Sequence, residues 1–355
     1  MTVTEVPADE RVPAERQTDL TSGVSGRPRD LQRTFQLWLA AVWLLDAVLQ
    51  IQPFMFTPGK SGFSGMIGAT ASGNPGWIAN AITWNASIVD HHPVLTNSSF
   101  ALVQFLIAFG IIWRRTSKGA LVLSVVWAIG VWWFGEGLGG VFSGGATPLG
   151  GGPGAVLFYA VLAILLWPSR GPDTPFVAAK ALGAPTAKMV WGSLWAVLAV
   201  LCLVGSGRSP QYLQSLVKVS GQPGWLAHLD RFSVSFLLHD GTAAAVVLAV
   251  LCCVAAMSVY LPAWFTQFAI VLVVVAFTLI WAAVQNFGGI LAGGATDPNS
   301  APLVVLLALV YWPLTHPARS LASAGGSRLF ASSGATATGP GGLDLVSPPA
   351  TPGEA

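Results

Sequence analysis

Eight apolar runs occupy most of the chain between residues 35 and 315, and polar or glycine-rich stretches separate them. A helix of about 20 apolar residues crosses a bilayer core of roughly 30 Å. Charged residues make up 9% of the chain and hydrophobic residues 53%, whereas a soluble domain carries roughly 25% charge. The sequence therefore predicts an all-α, polytopic integral membrane protein with eight spans. These are residues 35–53, 97–113, 119–135, 152–167, 189–205, 241–259, 264–284 and 301–315.

The two ends of the chain have a different composition. Residues 1–34 are rich in Pro, Arg, Glu, Asp and Thr, and residues 316–355 are rich in Ala, Ser, Gly and Pro. Neither segment contains enough apolar surface to pack, so both are predicted to be disordered tails. The first apolar run begins only at Phe35 and is long enough to span, so no signal peptide is expected.

Basic residues in the loops predict the orientation of the spans. Arg114, Arg115 and Lys118 separate the second and third runs, and short loops that carry Lys and Arg stay in the cytoplasm. The other basic residues that agree are Arg27, Arg29, Arg33, Arg170, Lys180, Lys188, Arg319 and Arg328. The pattern predicts a multi-pass protein of the bacterial plasma (inner) membrane with both termini cytoplasmic. Arg208, Lys218 and Arg231 lie on the opposite side and are a partial exception.

Several motifs return about 148 residues later in the chain. GNPGWIA at 73–79 recurs as GQPGWLA at 221–227, and FGEGLGGVFSGGAT at 134–147 resembles VQNFGGILAGGAT at 284–296. The repetition predicts two parallel four-helix repeats, residues 35–168 and 189–315, joined by a cytoplasmic linker at 169–188.

The first repeat resembles a known family. Its segments LLDAVLQIQPFMF, GNPGW, FALVQFLIAFGIIWRR and GAVLFYAVLAILLW are similar to those of the DoxX-like four-helix membrane proteins, which include a subunit associated with thiosulfate:quinone oxidoreductases. The resemblance implies a redox- or quinone-associated membrane subunit, duplicated in tandem, with another membrane redox protein as partner. An acid commonly opens the second helix in that family, where this chain has Asn97 to Phe100. No residue role is carried over.

Asp46 is the first candidate for a functional side chain, because about ten residues of the first apolar run precede it. At roughly 1.5 Å per residue it is expected near the middle of the hydrocarbon layer. An acid there costs roughly 2.5 to 3.5 kcal/mol on insertion scales, which favours a proton-linked or other functional role. The alternative is a buried hydrogen bond that packs two helices, with Gln50 or Gln104 as partner.

Further polar residues extend from Asp46 toward the outer surface. Gln50 lies one helical turn beyond Asp46, and Glu136 follows the third run between two glycines. Together they predict a polar ladder from the midplane to the outside. The alternative for Glu136 is that it caps exposed backbone amides at the glycine-rich loop.

Two histidines complete the ladder, and the two halves differ in their acids. His91 and His239 end the aromatic helix faces that follow the GNPGW and GQPGW motifs. Solvated or hydrogen-bonded side chains are the alternative to metal ligation there, and no metal site is assigned. Leu194 and Gln285 stand where the first half has its acids, so intramembrane charge is predicted only in the first half.

The remaining features narrow the functional classes. Cys202, Cys252 and Cys253 lie in apolar runs and are expected to be small buried residues. A net charge of +2 without a basic stripe argues against nucleic acid as a partner, which leaves the lipid bilayer. No cofactor follows from the sequence. Three classes remain open: a redox- or quinone-associated subunit, a transporter of a small solute, proton or metal, and a membrane scaffold without chemistry.

Overall fold

A computed structural model describes residues 30–169, 174–217 and 221–314 of the chain. Over these residues the secondary structure consists of α-helices and short 3-10 turns. The helices are α1 (Leu31–Leu49), α2 (Phe63–Ala69), α3 (Gly76–His91), α4 (Pro93–Ile112), α5 (Ser117–Phe134), α6 (Ala155–Leu165), α7 (Ala179–Leu182), α8 (Ala184–Leu203), α9 (Pro210–Ser215), α10 (Gly224–Ser258), α11 (Ala263–Ala283) and α12 (Ser300–Val310).

Five helical segments in this part of the chain are long and apolar enough to cross a membrane. They are α4, α5, α8, α10, and α11 together with the turn that follows it. The other three predicted runs also form helices, but α6 and α12 have only 11 residues each, and α1 carries Gln32, Arg33, Gln36 and Asp46. The all-helical class is confirmed, whereas eight crossings stay a prediction.

The two halves differ at the junction between the aromatic helix, which follows the GNPGW or GQPGW motif, and the next predicted span. In the first half α3 ends at His91 and α4 starts with Pro93, after a break at His92 with φ −131° and ψ 53°. Proline lacks the N–H that a continuing helix needs. The position 148 residues later is Gly241, so α10 continues through it as one helix of 35 residues. The separate aromatic helix expected in the second half is therefore the first part of α10.

The helices pack in pairs around an aromatic centre. α1 packs on α4, α5 on α6, α8 on α10 and α11 on α12, while α6 also contacts α12. The Trp43 ring packs tilted against that of Tyr159 with ring centroids 4.3 Å apart, and Trp191 packs in the same way against Tyr311 at 4.5 Å. All four rings are buried, so each half has a tryptophan–tyrosine pair at its centre.

Polar side chains at the start of α1 form hydrogen bonds with the C-terminal end of α6. The Gln32 and Gln36 amides donate to the carbonyl oxygens of Trp167 and Leu166, at 2.7 and 2.8 Å. These carbonyls end α6, where a helix leaves its last acceptors unpaired. α1 begins at Leu31, so residues 31–34 belong to a helix and not to the predicted tail. The remaining tail residues, 1–29 and 315–355, lie outside the described part of the chain.

The linker is described in part, and one expectation about the cysteines needs correction. The linker at 169–188 is partly helical and packed: Phe176 and Ala178 are buried, and the Ala178 N–H donates to Val310 O at 3.2 Å. Residues 170–173 lie outside the described ranges. Cys202 and Cys252 are buried as expected, but Cys253 is exposed on the outer side of α10.

Candidate functional site

The glycine-rich motifs form two left-handed turns. We call residues 135–154 the first glycine loop and residues 284–299 the second glycine loop. Four successive residues have positive φ in each, 137–140 and 286–289, including Leu138 and Phe287 at φ 53°. An L-residue costs roughly 1 to 2 kcal/mol in this conformation, which glycine avoids. At Gly139 a Cβ would also lie 1.7 Å from Pro153 O, so glycine is required by space as well as by φ.

A tryptophan and an acid or amide fix each loop to the next helix. The Trp132 and Trp281 indoles donate to the carbonyl oxygens of Pro153 and Pro298, at 2.6 and 2.7 Å. Glu136 Oε1 accepts from the backbone N–H of Val156 at 3.4 Å. Gln285 Oε1 accepts from that of Ala301 at 3.2 Å. Each loop thus places a side-chain oxygen on the first turn of α6 or α12, where backbone N–H groups lack helical partners.

A cavity of about 450 Å³ lies among α1, α3, α4 and α5. We call it the inner cavity. It brings together four of the six sequence-predicted residues, and Asp297 of the second glycine loop joins them. The predicted residues in its lining are Asp46, Gln50, Gln104 and Glu136. Its aromatic lining consists of Trp43, Phe63, Trp84, Phe100, Trp127 and Phe134.

Four polar atoms of residues in this lining have no hydrogen-bond partner within the described part of the chain. They are Asp46 Oδ1, Gln104 Oε1, Glu136 Oε2 and Trp127 Nε1. Asp46 and Gln104 are only 2% and 9% exposed. Buried polar atoms are nearly always paired, because desolvation without a partner costs about 1 to 3 kcal/mol. All four atoms belong to residues that line the inner cavity.

Within the described residues the carboxyl group of Asp46 has one hydrogen-bond partner, and it is neither Gln50 nor Gln104. The Tyr159 hydroxyl donates to Asp46 Oδ2 at 2.5 Å. Gln50 instead donates to Asn97 Oδ1 at 2.7 Å. A helix-packing hydrogen bond therefore exists, but the proposed partners Gln50 and Gln104 were wrong. Asp46 lies in the last turn of α1 and not about ten residues into the helix as expected, while its depth in the bilayer stays a prediction.

A second cavity of about 420 Å³ lies beside the glycine loops and shares Thr70, Glu136 and Asp297 with the inner cavity. We call it the vestibule. Asp297 Oδ1 accepts from Asn299 N and Oδ2 from the Thr296 hydroxyl, each at 2.7 Å. The two cavities thus adjoin at the carboxyl groups of Glu136 and Asp297.

Burial raises the pKa of both loop carboxyl groups. Burial, reinforced by the charge of Asp297, raises the pKa of Glu136 from its ordinary 4.5 to about 8. Burial also raises the pKa of Asp297 itself. Both shifts have the same physical cause, since a carboxylate loses hydration there without gaining a cation.

The second half also carries buried acids, while the expectation that intramembrane charge is confined to the first half stays a prediction. Besides Asp297, Asp230 of α10 is fully buried, and the Asn286 amide donates to its Oδ1. The position 148 residues earlier is Ile82, so no repeat pattern signals this aspartate.

The structure does not bring the two histidines to this site. His91 and His239 are exposed, and each Nδ1 lies 2.7 or 2.8 Å from the backbone oxygen four residues earlier, Ser87 or Ser235. Neither lines the inner cavity or the vestibule. In the described ranges no group of three or more His, Cys, Asp or Glu residues is arranged to hold a metal ion.

Sequence reasoning missed Tyr159, Trp127 and Asp297. The two aromatic residues lie within apolar runs and look like core. Asp297 follows the second glycine motif directly in TDPN, and an acid next to a duplicated motif was the available signal.

Comparisons with protein-family models, curated proteins and solved structures find no match to this chain. The function is therefore argued from the cavities.

Proposed function

We propose that this helical membrane protein binds a small organic cation in the inner cavity, as the binding step of a small-solute transporter. The observation that carries the proposal is the composition of the lining. Asp46, Glu136 and Asp297 bring three carboxyl groups to the lining of two adjoining cavities, and no described Lys, Arg or His lines either one.

Charge balance favours a cation as the occupant. A carboxylate buried without a counter-charge is strongly disfavoured, so each must take up a proton or meet a cation. The aromatic lining adds a second attraction, since a cation over an aromatic face gains roughly 0.5 to 2 kcal/mol. A volume of about 450 Å³ lies within the range of small-molecule sites, roughly 300 to 1,000 Å³.

The proposed membrane arrangement follows from the basic loops. Eight crossings as two parallel four-helix repeats, in the plasma membrane with cytoplasmic termini, place both glycine loops and the vestibule on the outer side. The solute then enters through the vestibule. The paired Trp132 and Trp281 contacts and the paired caps of α6 and α12 support the duplication.

A quinol is the second candidate ligand, in keeping with the resemblance to DoxX-like subunits and with a membrane redox partner. One observation favours it: three unpartnered oxygens, Asp46 Oδ1, Gln104 Oε1 and Glu136 Oε2, are acceptors for donated hydroxyls. A quinol is uncharged, so its binding depends on these acceptors and not on carboxylate charge.

Binding measurements separate the candidates. We expect radiolabelled tetramethylammonium to bind the full chain in lipid nanodiscs, and Asp46→Asn or Glu136→Gln to weaken it about tenfold or more, or about 1.4 kcal/mol. Asp240→Asn is the matched control, because Asp240 is an exposed acid of α10 outside both cavities.

Two other binding results would each contradict the proposal. Saturable binding of a short-chain quinol, with no binding of the ammonium probe, replaces the proposal by the redox candidate. If neither probe binds, the scaffold class remains and the proposal is wrong.

A further inference from the structure

One wall of the inner cavity also faces the outside of the helix bundle. Trp84 of α3 and Val126 of α5 line the cavity, yet both are 62% exposed. Leu123, one turn earlier on α5, lines it as well and is 37% exposed. In the proposed membrane arrangement these side chains face lipid.

Gly130 lies in the same wall. It is a helical glycine of α5, and a Cβ added to it would meet nothing within 4 Å. The space beside it is therefore open. Next to it, Trp127 and Phe134 point aromatic rings into the cavity lining.

The carboxyl groups of the lining belong to α1 and the glycine loops, and not to α3 or α5. Asp46 comes from α1, Glu136 and Asp297 from the glycine loops, and the vestibule gives Glu136 and Asp297 a polar approach. The cavity is thus polar toward the glycine loops and apolar toward Gly130. A ligand that complements both parts has a charged head and a hydrocarbon tail.

We infer that the inner cavity opens sideways to the lipid beside Gly130, and that its ligand is a cationic amphiphile whose head meets the carboxyl groups while its alkyl tail leaves through this opening. The inference rests on the proposed function and names its ligand class. Opposite charge selects the head, and the exposed apolar wall selects the tail.

The repeat supplies the substitution that tests the opening. The residue 149 positions after Gly130 is Leu279, which is exposed on α11. Gly130→Leu copies it and fills the open space with a side chain. The variant is expected to fold, because no atom lies in the way and leucine favours a helix more than glycine does.

The control is a glycine of the same helix away from the cavity. Gly119 of α5 is exposed, a Cβ there also meets nothing within 4 Å, and it does not line the inner cavity. Gly119→Leu therefore repeats the chemical change without touching the wall.

The experiment compares a head-only probe, tetramethylammonium, with a head-and-tail probe, octyltrimethylammonium, in nanodiscs of one lipid composition. In the wild-type chain we expect the octyl probe to bind at least about tenfold more tightly, because its tail gains apolar contact. Gly130→Leu is expected to remove most of that gain and to leave tetramethylammonium binding unchanged. Gly119→Leu is expected to change neither.

The other possible results overturn either the lateral opening or the proposed function. Equal loss of both probes in Gly130→Leu means that leucine fills the head site, which overturns the opening. An octyl gain that survives Gly130→Leu also overturns it, while the proposed cation site stands. If tetramethylammonium and the octyl probe both fail to bind the wild-type chain, the proposed function itself fails.

Discussion

The contact between Asp46 and Tyr159 allows a quantitative test. Both side chains are buried, at 2% and 0% exposure, and the hydroxyl donates to the carboxyl at 2.5 Å. Asp46→Leu leaves the hydroxyl without its acceptor, and an unsatisfied buried group costs about 1 to 3 kcal/mol. Tyr159→Phe leaves the carboxyl without its donor, at a similar or larger cost. Removing both partners together is expected to cost much less than the sum.

The double variant Asp46→Leu/Tyr159→Phe should therefore show a coupling free energy of about 1 to 3 kcal/mol. The second half of the chain contains a buried tyrosine hydroxyl that is satisfied without a carboxyl group. Leu194 stands at the position of Asp46, and the hydroxyl of Tyr311 donates to the Ala187 backbone oxygen at 2.7 Å. Tyr311→Phe combined with Asp46→Leu is accordingly the matched control, with an expected coupling below about 0.5 kcal/mol.

The measurement is reversible unfolding of the full chain by a denaturing detergent in mixed micelles, at one pH, for the wild type, the singles and both doubles. Additive effects of Asp46→Leu and Tyr159→Phe would refute the reasoning, because they would mean that the two groups do not satisfy each other. A control pair as strongly coupled as the test pair would refute it too, since the effect would then not belong to this hydrogen bond.

Three further predictions follow from the loops and the topology. Because burial holds the folded pKa of Glu136 at about 8, the unfolded chain releases this proton at lower pH. The apparent melting temperature should therefore fall as pH rises from about 4.5 to about 8 and level off above that, and Glu136→Gln should flatten that slope. Gly139→Ala should destabilise the chain more than Gly144→Ala, by roughly 1 to 3 kcal/mol, since both have positive φ but only Gly139 meets a backbone oxygen. In a background without native cysteines, Ser61→Cys should react with an impermeant thiol reagent from outside and Thr116→Cys should not; reversed labelling would contradict the proposed orientation.

The helices and part of the site could be predicted from sequence because the evidence for them is local. Every predicted apolar run contains a helix, since a helix pairs the backbone groups of an apolar segment within the segment itself. Asp46, Gln104 and Glu136 stand out as polar residues in or beside apolar segments, where burial without a partner is costly. The structure places them around one cavity.

The site residues that the sequence did not predict depend on contacts between segments that are distant in the chain. Nothing near Tyr159 in the sequence indicates that its hydroxyl meets a carboxyl 113 residues away. Asp297 joins the cavity of the first half because the second glycine loop packs beside it. Helix bounds also depended on single residues, as with Pro93 and Gly241, whose effect a hydropathy pattern does not reveal.

Comparison with the second glycine loop separates two roles of the Glu136 carboxyl group, helix capping and charge. Gln285 holds the corresponding position and caps α12 through its Oε1, so this cap does not need a carboxylate. Glu136 performs the same capping with Oε1 and leaves Oε2 without a partner among the described residues, in the lining of the inner cavity. Capping alone therefore explains one oxygen and not the negative charge. Glu136→Gln, which copies the second half, should keep α6 capped and the chain folded while it weakens cation binding. A variant that binds the cation as tightly as the wild type would show that the charge at this position has no part in recognition.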